Sequence, residues 1–451
     1  NRYFCGEIRM TITKQQAPLA FAFMALALVM VGVFQSWSLS LTILNYCLIA
    51  SIMALGLNIQ WGYAGLFNVG LMGFAALGGI SAVLVSMKPV PEAWALGGAG
   101  IGLGVLVAVA TIFLAVGAYH RLPKGYIRGW GMAVIVIGGY FAARYFFDPA
   151  TNLIESVNPA QTGFLGGLGL PVLLSWVVGG VLAASVAWVI GKVTLGLRSD
   201  YLAIATLGIS EIIIAVLKNE EWLTRGVKNV NGIPRPTPYE YDLQQLAWAQ
   251  DWAAWFGADL QDFTSIYVKL CSAALALVML GILYWLSQTA IKSPWGRMMR
   301  AIRDNETAAQ AMGKNVTGRH LQVFILGSAV VGIAGAMMTS FDGQFTPTTY
   351  NPLRFTFLVW VMVIVGGSGN NLGSIVGGFL IWFFWVEAEP LGYALLSFLT
   401  SGLAEDSELR SHLLDSAAHM RLITMGLILL VTIRFRPRGL LPEQSQQTRS
   451  H

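Results

Sequence analysis

Apolar runs of about 17 to 25 residues, almost free of charge, recur along the whole chain, and each is long enough to cross the roughly 30 Å hydrocarbon layer of a bilayer as a helix. They predict spans near 18–35, 41–60, 67–87, 94–118, 130–147, 170–191, 201–217, 265–287, 321–340, 354–366, 373–386 and 419–433. With 55% apolar and only 11% charged residues over 451 positions, the chain carries more apolar surface than a soluble core could bury. The fold class is therefore an all-α polytopic membrane protein of about 10–12 transmembrane helices, some of them re-entrant or broken.

The polar segments divide the chain. Residues 1–17 read as a polar, basic tail without a small-residue cleavage site after a short apolar stretch, so the first helix is expected to be kept. Position 1 is Asn, and Met10 is the expected start. Lysines and arginines concentrate in loops on the side of both termini, as at Arg121, Arg128, Arg198, Arg319 and the basic tail 434–451, which predicts both termini inside. Two acidic loops, 218–263 and 387–418, then fall outside. In the first, Tyr241, Trp248, Trp252 and Trp255 are spaced as one face of a helix in the headgroup layer, and the acidic rim also suits a soluble protein partner.

Several functions are disfavoured. Cys47 and Cys271 lie in apolar runs and Cys5 in the tail, which gives neither a disulfide framework nor metal-ligand spacing. No histidine, cysteine or carboxylate cluster has the spacing of a nucleophile or metal site, so no catalytic residue is assigned. A nucleic-acid partner is excluded because no basic-aromatic face or soluble module would hold one. The lysines that follow Gly191 and Gly313 lack the upstream glycine and following hydroxyl of a phosphate loop, so any ATP is hydrolysed on another chain.

The inside loop 288–320 is the most chemically distinctive segment. Ser293 followed by Pro294 starts a short helix that should run to about Arg303. Arg297, Arg300 and Arg303 recur at about one turn, placing guanidinium groups where they can meet headgroups or a partner's carboxylates. Asp304 or Asn305 can cap a second helix containing Glu306, Ala308, Ala309 and Ala311, ended by Gly313. Its small side chains suit insertion into a groove on another protein.

Inside the apolar core, Asn45, Asn58, Gln60, Asn68 and Glu211 are polar groups whose burial needs partners or water. Asn58, Gln60 and Asn68 flank Gly62, Gly65 and Gly70, a run that should interrupt a helix. A second run, Gly366, Gly367, Gly369 and Gly373 with Asn370 and Asn371, reads as its counterpart in the other half of the chain. Two readings stay open for both runs: tight helix packing through small residues, or a lining for the translocation pathway by Asn58, Gln60, Asn68, Gly366 and Gly367. Glu211 is open in the same way, to a solute ammonium group or to a donor on a neighbouring subunit.

The segment around Thr307, Ala308, Ala309 and Gly313 resembles the coupling loop of ABC importer permeases, with Glu306 one position early. Together with WGYAGLFNVG at 61–70, LRSDYLAIATLGISEI at 197–212, NGIPRP at 231–236, VIVGGSGNNLGSIVGG at 363–378 and RFRPRGLLPE at 434–443, the chain resembles the M-type permease of branched-chain amino acid importers. It departs from that pattern at Leu71 and Met72, in an extra hairpin at 94–147 and in a longer loop at 240–262. The resemblance implies a bacterial inner-membrane subunit paired with a second, related permease, two cytoplasmic ATPase subunits that use ATP and magnesium, and a periplasmic binding protein. No cofactor would be bound by this chain itself. It also implies that Arg300, Arg303, Glu306, Ala308, Ala309 and Gly313 contact the ATPases. Importers of urea and short-chain amides share this permease type, and an ion-coupled secondary transporter is the alternative from another class.

Overall fold

The computed structural model describes residues 2–123, 125–158, 163–402 and 407–443, the side chains of residues 2–16 and of Ser199 excepted. Twelve apolar helices follow one another: α1 (Arg2–Phe34), α2 (Trp37–Leu57), α3 (Leu71–Ser86), α4 (Ala99–Arg121), α5 (Tyr126–Ser156), α6 (Val172–Thr194), α7 (Ser199–Asn219), α8 (Leu260–Lys292), α9 (Val316–Asp342), α10 (Pro352–Gly366), α11 (Asn371–Leu399) and α12 (Met420–Phe435). Ten described segments are long and apolar enough to cross a membrane, the last of them, Glu408–Phe435, taking in the short helical turns ahead of α12, while α3 and α10 are shorter apolar helices. Each predicted span falls on one of the twelve; most helices outrun their apolar runs, whereas the span 67–87 exceeds α3 at both ends, 94–118 begins ahead of α4 and 41–60 runs past the end of α2. At about 1.5 Å per residue α8 is about 50 Å long, so its polar ends stand clear of the hydrocarbon layer.

Helix starts are written locally. Asn315, Asn351 and Asn370 each accept a backbone N–H of the first turn, from Gly318, Arg354 and Leu372 at 2.9, 3.0 and 3.1 Å. Pro352 occupies the first turn of α10, where its missing N–H costs nothing. Gly343, in the left-handed region at φ 66°, ends α9.

The centre of the bundle is made by α2, α3, α6, α9, α10 and α11, and its helices meet backbone to backbone. A Cβ on Gly78 of α3 would lie 1.8 Å from the Gly332 carbonyl of α9, and one on Gly335 would lie 1.9 Å from the Ala75 carbonyl. Lipid supplies no hydrophobic drive between helices, so such close approach through small residues is what holds them. The α4–α5 pair stands to one side. It packs on itself and on a small separate core of Ala93, Ile101, Ala150, Ile154 and Leu165, and its outer faces are exposed.

Three loop boundaries shift. The loop expected at 288–320 is confined to 293–315, because α8 continues to Lys292 and α9 starts at Val316. The loop expected at 387–418 largely disappears: α11 runs through Pro390 to Leu399, and Glu387 and Glu389 sit inside it. Glu387 accepts from Gln35 at 2.8 Å and Glu389 pairs with Arg421 at 2.6 Å, which explains acids that hydropathy had assigned to solvent. Glu405 and Asp406 lie outside the described residues. In 218–263, Trp248, Trp252 and Trp255 share the helix Ala247–Phe256, but Tyr241 belongs to a separate short helix, Glu240–Gln244. The tail 434–451 is not free at its start, since residues 436–443 fold back onto α10.

Candidate functional site

Both glycine runs break helices, and the two breaks meet. Beyond α2 the chain widens into a π turn, Asn58–Gly62, and from residue 65 leaves helical structure until α3. The second break is the turn between α10 and α11, where Gly367 and Gly369 take φ of 115° and 81°, values that side chains other than glycine rarely adopt. Asn58 bridges them: its Oδ1 accepts from the Gly369 N–H at 2.8 Å and its Nδ2 donates to Asn371 Oδ1 at 3.0 Å. Tyr63 donates its hydroxyl to the same Asn371 oxygen, and Asn371 Nδ2 donates to Gln288 of α8 at 2.9 Å. Four segments are thereby tied at one point.

Gln60 and Asn68 hold the first break from within. Gln60 Nε2 donates to the Phe324 carbonyl and to Ser328 of α9, both at 3.1 Å, and its oxygen accepts from Asn68 Nδ2 at 2.8 Å. Asn68 accepts the Gly70 N–H at 2.8 Å, and its carbonyl takes the Trp360 indole N–H at 3.1 Å. Asn58, Gln60 and Asn68 are fully buried. All three bond to protein, and the two cavities described below are lined by other residues; each of the three gives a partner to groups at the break.

Gly366 has a similar role. A Cβ there would lie 2.0 Å from the Gly373 carbonyl, and the last carbonyls of α10, which no further helical turn can satisfy, are capped by the C-terminal segment. Leu440 N–H donates to Val365 at 2.8 Å and Leu441 N–H to Gly366 at 2.9 Å.

The loop between α8 and α9 forms the two expected helices, Pro294–Asp304 and Glu306–Ala311. Ser293 caps the first, Asn305 caps the second by accepting from Ala308 N–H at 2.9 Å, and Gly313 ends it at φ 77°. The arginines do not form one outward row. Arg303 turns inward, donates to the Gly62 carbonyl of the first break and pairs with Glu443 at 2.9 Å. Arg300 lies half-buried with the Ile291 carbonyl 3.5 Å away. Ala309 is buried, whereas Glu306, Ala308, Gly313 and Met312 are exposed, Met312 at 78%. A single guanidinium therefore joins the loop, the first break and the C-terminal segment.

Glu211 sits apart from all of this. It is exposed midway along α7, on the face away from α3, while the opposite face packs through Thr206 and Ser210 against Gly70 and Gly73. A carboxylate in the middle of a span needs water or a donor, since lipid offers neither.

At the opposite end of the bundle lies a cavity of about 680 Å³ that the motifs did not reveal. Tyr46, Arg235, Glu240, Lys269, Asp342 and Trp382 are among its walls. The signal was present: Lys269 is a charge inside an apolar run and Asp342 a charge at the end of another. A narrow apolar crevice bounded by Met53, Met72, Leu358 and Val359 continues from it toward the breaks. Tyr350 borders that crevice, and its burial pushes the phenol above its ordinary range, so it stays protonated against Thr339 at 2.7 Å.

Over residues 130–432 the chain matches the family described as branched-chain amino acid transport system, permease component. It is 27% identical over 315 residues to the high-affinity branched-chain amino acid transport system permease protein LivM of Escherichia coli K12, covering 69% of this chain and 64% of that protein. The chain thus spans a little under two thirds of that relative's length. It is 22% identical over 398 residues to the probable branched-chain amino acid transport permease protein LivM of Methanocaldococcus jannaschii, covering 87% of this chain and 90% of that protein. It is also 24% identical over 382 residues to the xylose transport system permease protein XylH of Escherichia coli K12, covering 76% and 84%. No solved structure matches it.

Proposed function

Because this chain belongs to the family of branched-chain amino acid transport permease components, we propose that it forms half of the translocation pathway of an ATP-driven importer for branched-chain amino acids. The observation that carries the proposal is the Arg303 contact, which anchors a capped, surface-exposed loop to the helix break that the core polar groups are arranged to hold. A motor protein seated on that loop would act on the bundle interior through one rigid side chain rather than through a flexible connector. Glu306, Ala308, Met312 and Gly313 supply the exposed docking surface, and Arg300, Arg303 and Ala309 shape it from behind.

In this reading the loop faces the cytoplasm with both termini, one of the two ATPase subunits seats on it, and the exposed face of α7 with Glu211 meets the second permease along the pathway. A periplasmic binding protein would seat on the rim formed by Glu221–Thr224, Glu240–Gln244 and Ala247–Phe256. ATP-driven uptake of leucine by proteoliposomes holding all subunits tests it, with Ala308→Glu as the diagnostic variant: hydrolysis without uptake, or loss of the ATPases, is expected. Wild-type uptake by that variant refutes the docking assignment.

A sugar cargo is a second reading, favoured by the likeness to xylose and fructose permeases. A thermal-shift screen of the binding protein encoded beside this gene separates the two: stabilisation by leucine or valine supports the amino acid reading, and stabilisation only by a pentose, a hexose or urea replaces it.

A further inference from the structure

The cavity away from the docking loop carries two charges to which the coupling contact gives no role. Lys269, nine residues after the start of α8, donates to the carbonyl and hydroxyl of Ser38 at 3.2 and 2.5 Å and forms no ion pair among the described residues. Asp342, the last residue of α9, accepts from the Tyr46 hydroxyl at 2.5 Å and likewise has no ion pair among the described residues. Tyr46 is fixed in place, with Phe341 edge-on at 5.1 Å and Trp382 stacked at 5.8 Å. Arg235 and Glu240 pair only at 3.4 Å beside them, each side chain about a third exposed.

Half-buried charges are expensive to leave without a counter-charge. Here one cation and one anion line the same cavity, each hydrogen-bonded to a neutral group, with Glu240 and Arg235 acting on Lys269 and Asp342 through space but not within ion-pair distance of them. Aromatic and apolar surface lies next to them, and the cavity volume falls within the roughly 300–1,000 Å³ of small-molecule sites. We propose that this cavity is a binding site for a zwitterion with an apolar tail: Lys269 receives its anionic group, Asp342 and Tyr46 receive its ammonium, and the tail lies along Trp382 toward the crevice. Two sources share that chemistry, a free α-amino acid with an aliphatic side chain and the headgroup of an aminophospholipid.

The inference rests on the proposed cargo only in the choice of leucine as probe, and it is tested without ATP or binding protein, so its failure leaves the uptake test standing. Leucine is titrated calorimetrically into the full chain, co-purified with its partner subunits, in phosphatidylcholine nanodiscs. Binding is expected, and N-acetyl-leucine and leucinamide, each lacking one charge, should bind at least about tenfold more weakly. Asp342→Asn keeps an acceptor for Tyr46, Lys269→Gln keeps a neutral donor one bond shorter than the lysine, and each should weaken leucine about tenfold. A second arm retains or adds phosphatidylethanolamine and reads bound lipid by native mass spectrometry. Retained lipid that both variants lose, with no leucine binding, keeps the site and assigns it to a headgroup. Leucine binding that ignores the variants and the analogues, or no dependence of either ligand on Lys269 and Asp342, overturns it. The wild-type analogue series decides the matter even if a variant fails to fold.

Discussion

Arg303→Gln is the substitution with the most definite expected consequence. It removes a charged donor from the Gly62 carbonyl, an interaction of about 1.5–3 kcal/mol, and a partly exposed pair with Glu443 worth up to about 1 kcal/mol. The docked state of the loop should weaken by roughly 2–4 kcal/mol, which is about 30-fold or more in the local opening equilibrium. Hydrogen exchange of the amides of Trp295–Asp304 reads that opening directly. In proteoliposomes the same variant should hydrolyse more ATP for each solute imported. Glu443→Gln is the control: it loses only the exposed pair, leaves the Gly62 bond intact, and should raise exchange by no more than about fivefold. Arg303→Lys should fall between them, because one compact ammonium cannot reach both acceptors as a planar fork does. Equal exchange in Arg303→Gln and Glu443→Gln, or none above wild type in the former, would refute the inward-facing role.

Four further outcomes are expected. Gly335→Ala should cost about 3 kcal/mol and abolish monodisperse elution in size-exclusion chromatography, because its Cβ would lie 1.9 Å from the Ala75 carbonyl, whereas Gly117→Ala, in open space, should be neutral. Asn371→Leu removes the partner of the Asn58 Nδ2, the Tyr63 hydroxyl and the Gln288 Oε1, and should lower stability to denaturant by about 3 kcal/mol. Met312→Glu should leave stability within about 0.5 kcal/mol and strip the ATPases on co-purification, while Ala309→Glu, at a buried position, should unfold the loop. Glu211→Gln should lower uptake while the complex still assembles, and unchanged uptake would remove Glu211 from the pathway.

The parts of this fold written in local chemistry were legible. Ser293, Asn305 and Gly313 set the loop helices because a cap or a left-handed turn is decided within three or four residues. The spans were found for the same reason, and their ends were missed because hydropathy stops where the apolar residues stop. Glu387 and Glu389 illustrate this: their partners, Gln35 in the turn after α1 and Arg421 on α12, are distant in the sequence, so a partnered acid and a solvent loop read alike.

Arg303 marks where local reading ends. One-turn spacing places Arg297, Arg300 and Arg303 near one another on a helix, yet which of them turns inward depends on Gly62, 241 residues upstream, and Glu443, 140 residues downstream. The two glycine runs were recognisable as breaks from their own residues, but that Asn58 closes one onto Asn371 of the other follows only from how α2, α10 and α11 pack. A break in a spanning helix frees backbone groups that must find partners inside the protein. Here those partners are side chains of the opposite break, a side chain of the loop and backbone of the C-terminal segment. The three blocks most distinctive in the sequence are thus one structural unit: a change in any one alters the hydrogen bonding of the other two, and that dependence is what the Arg303 and Glu443 variants measure.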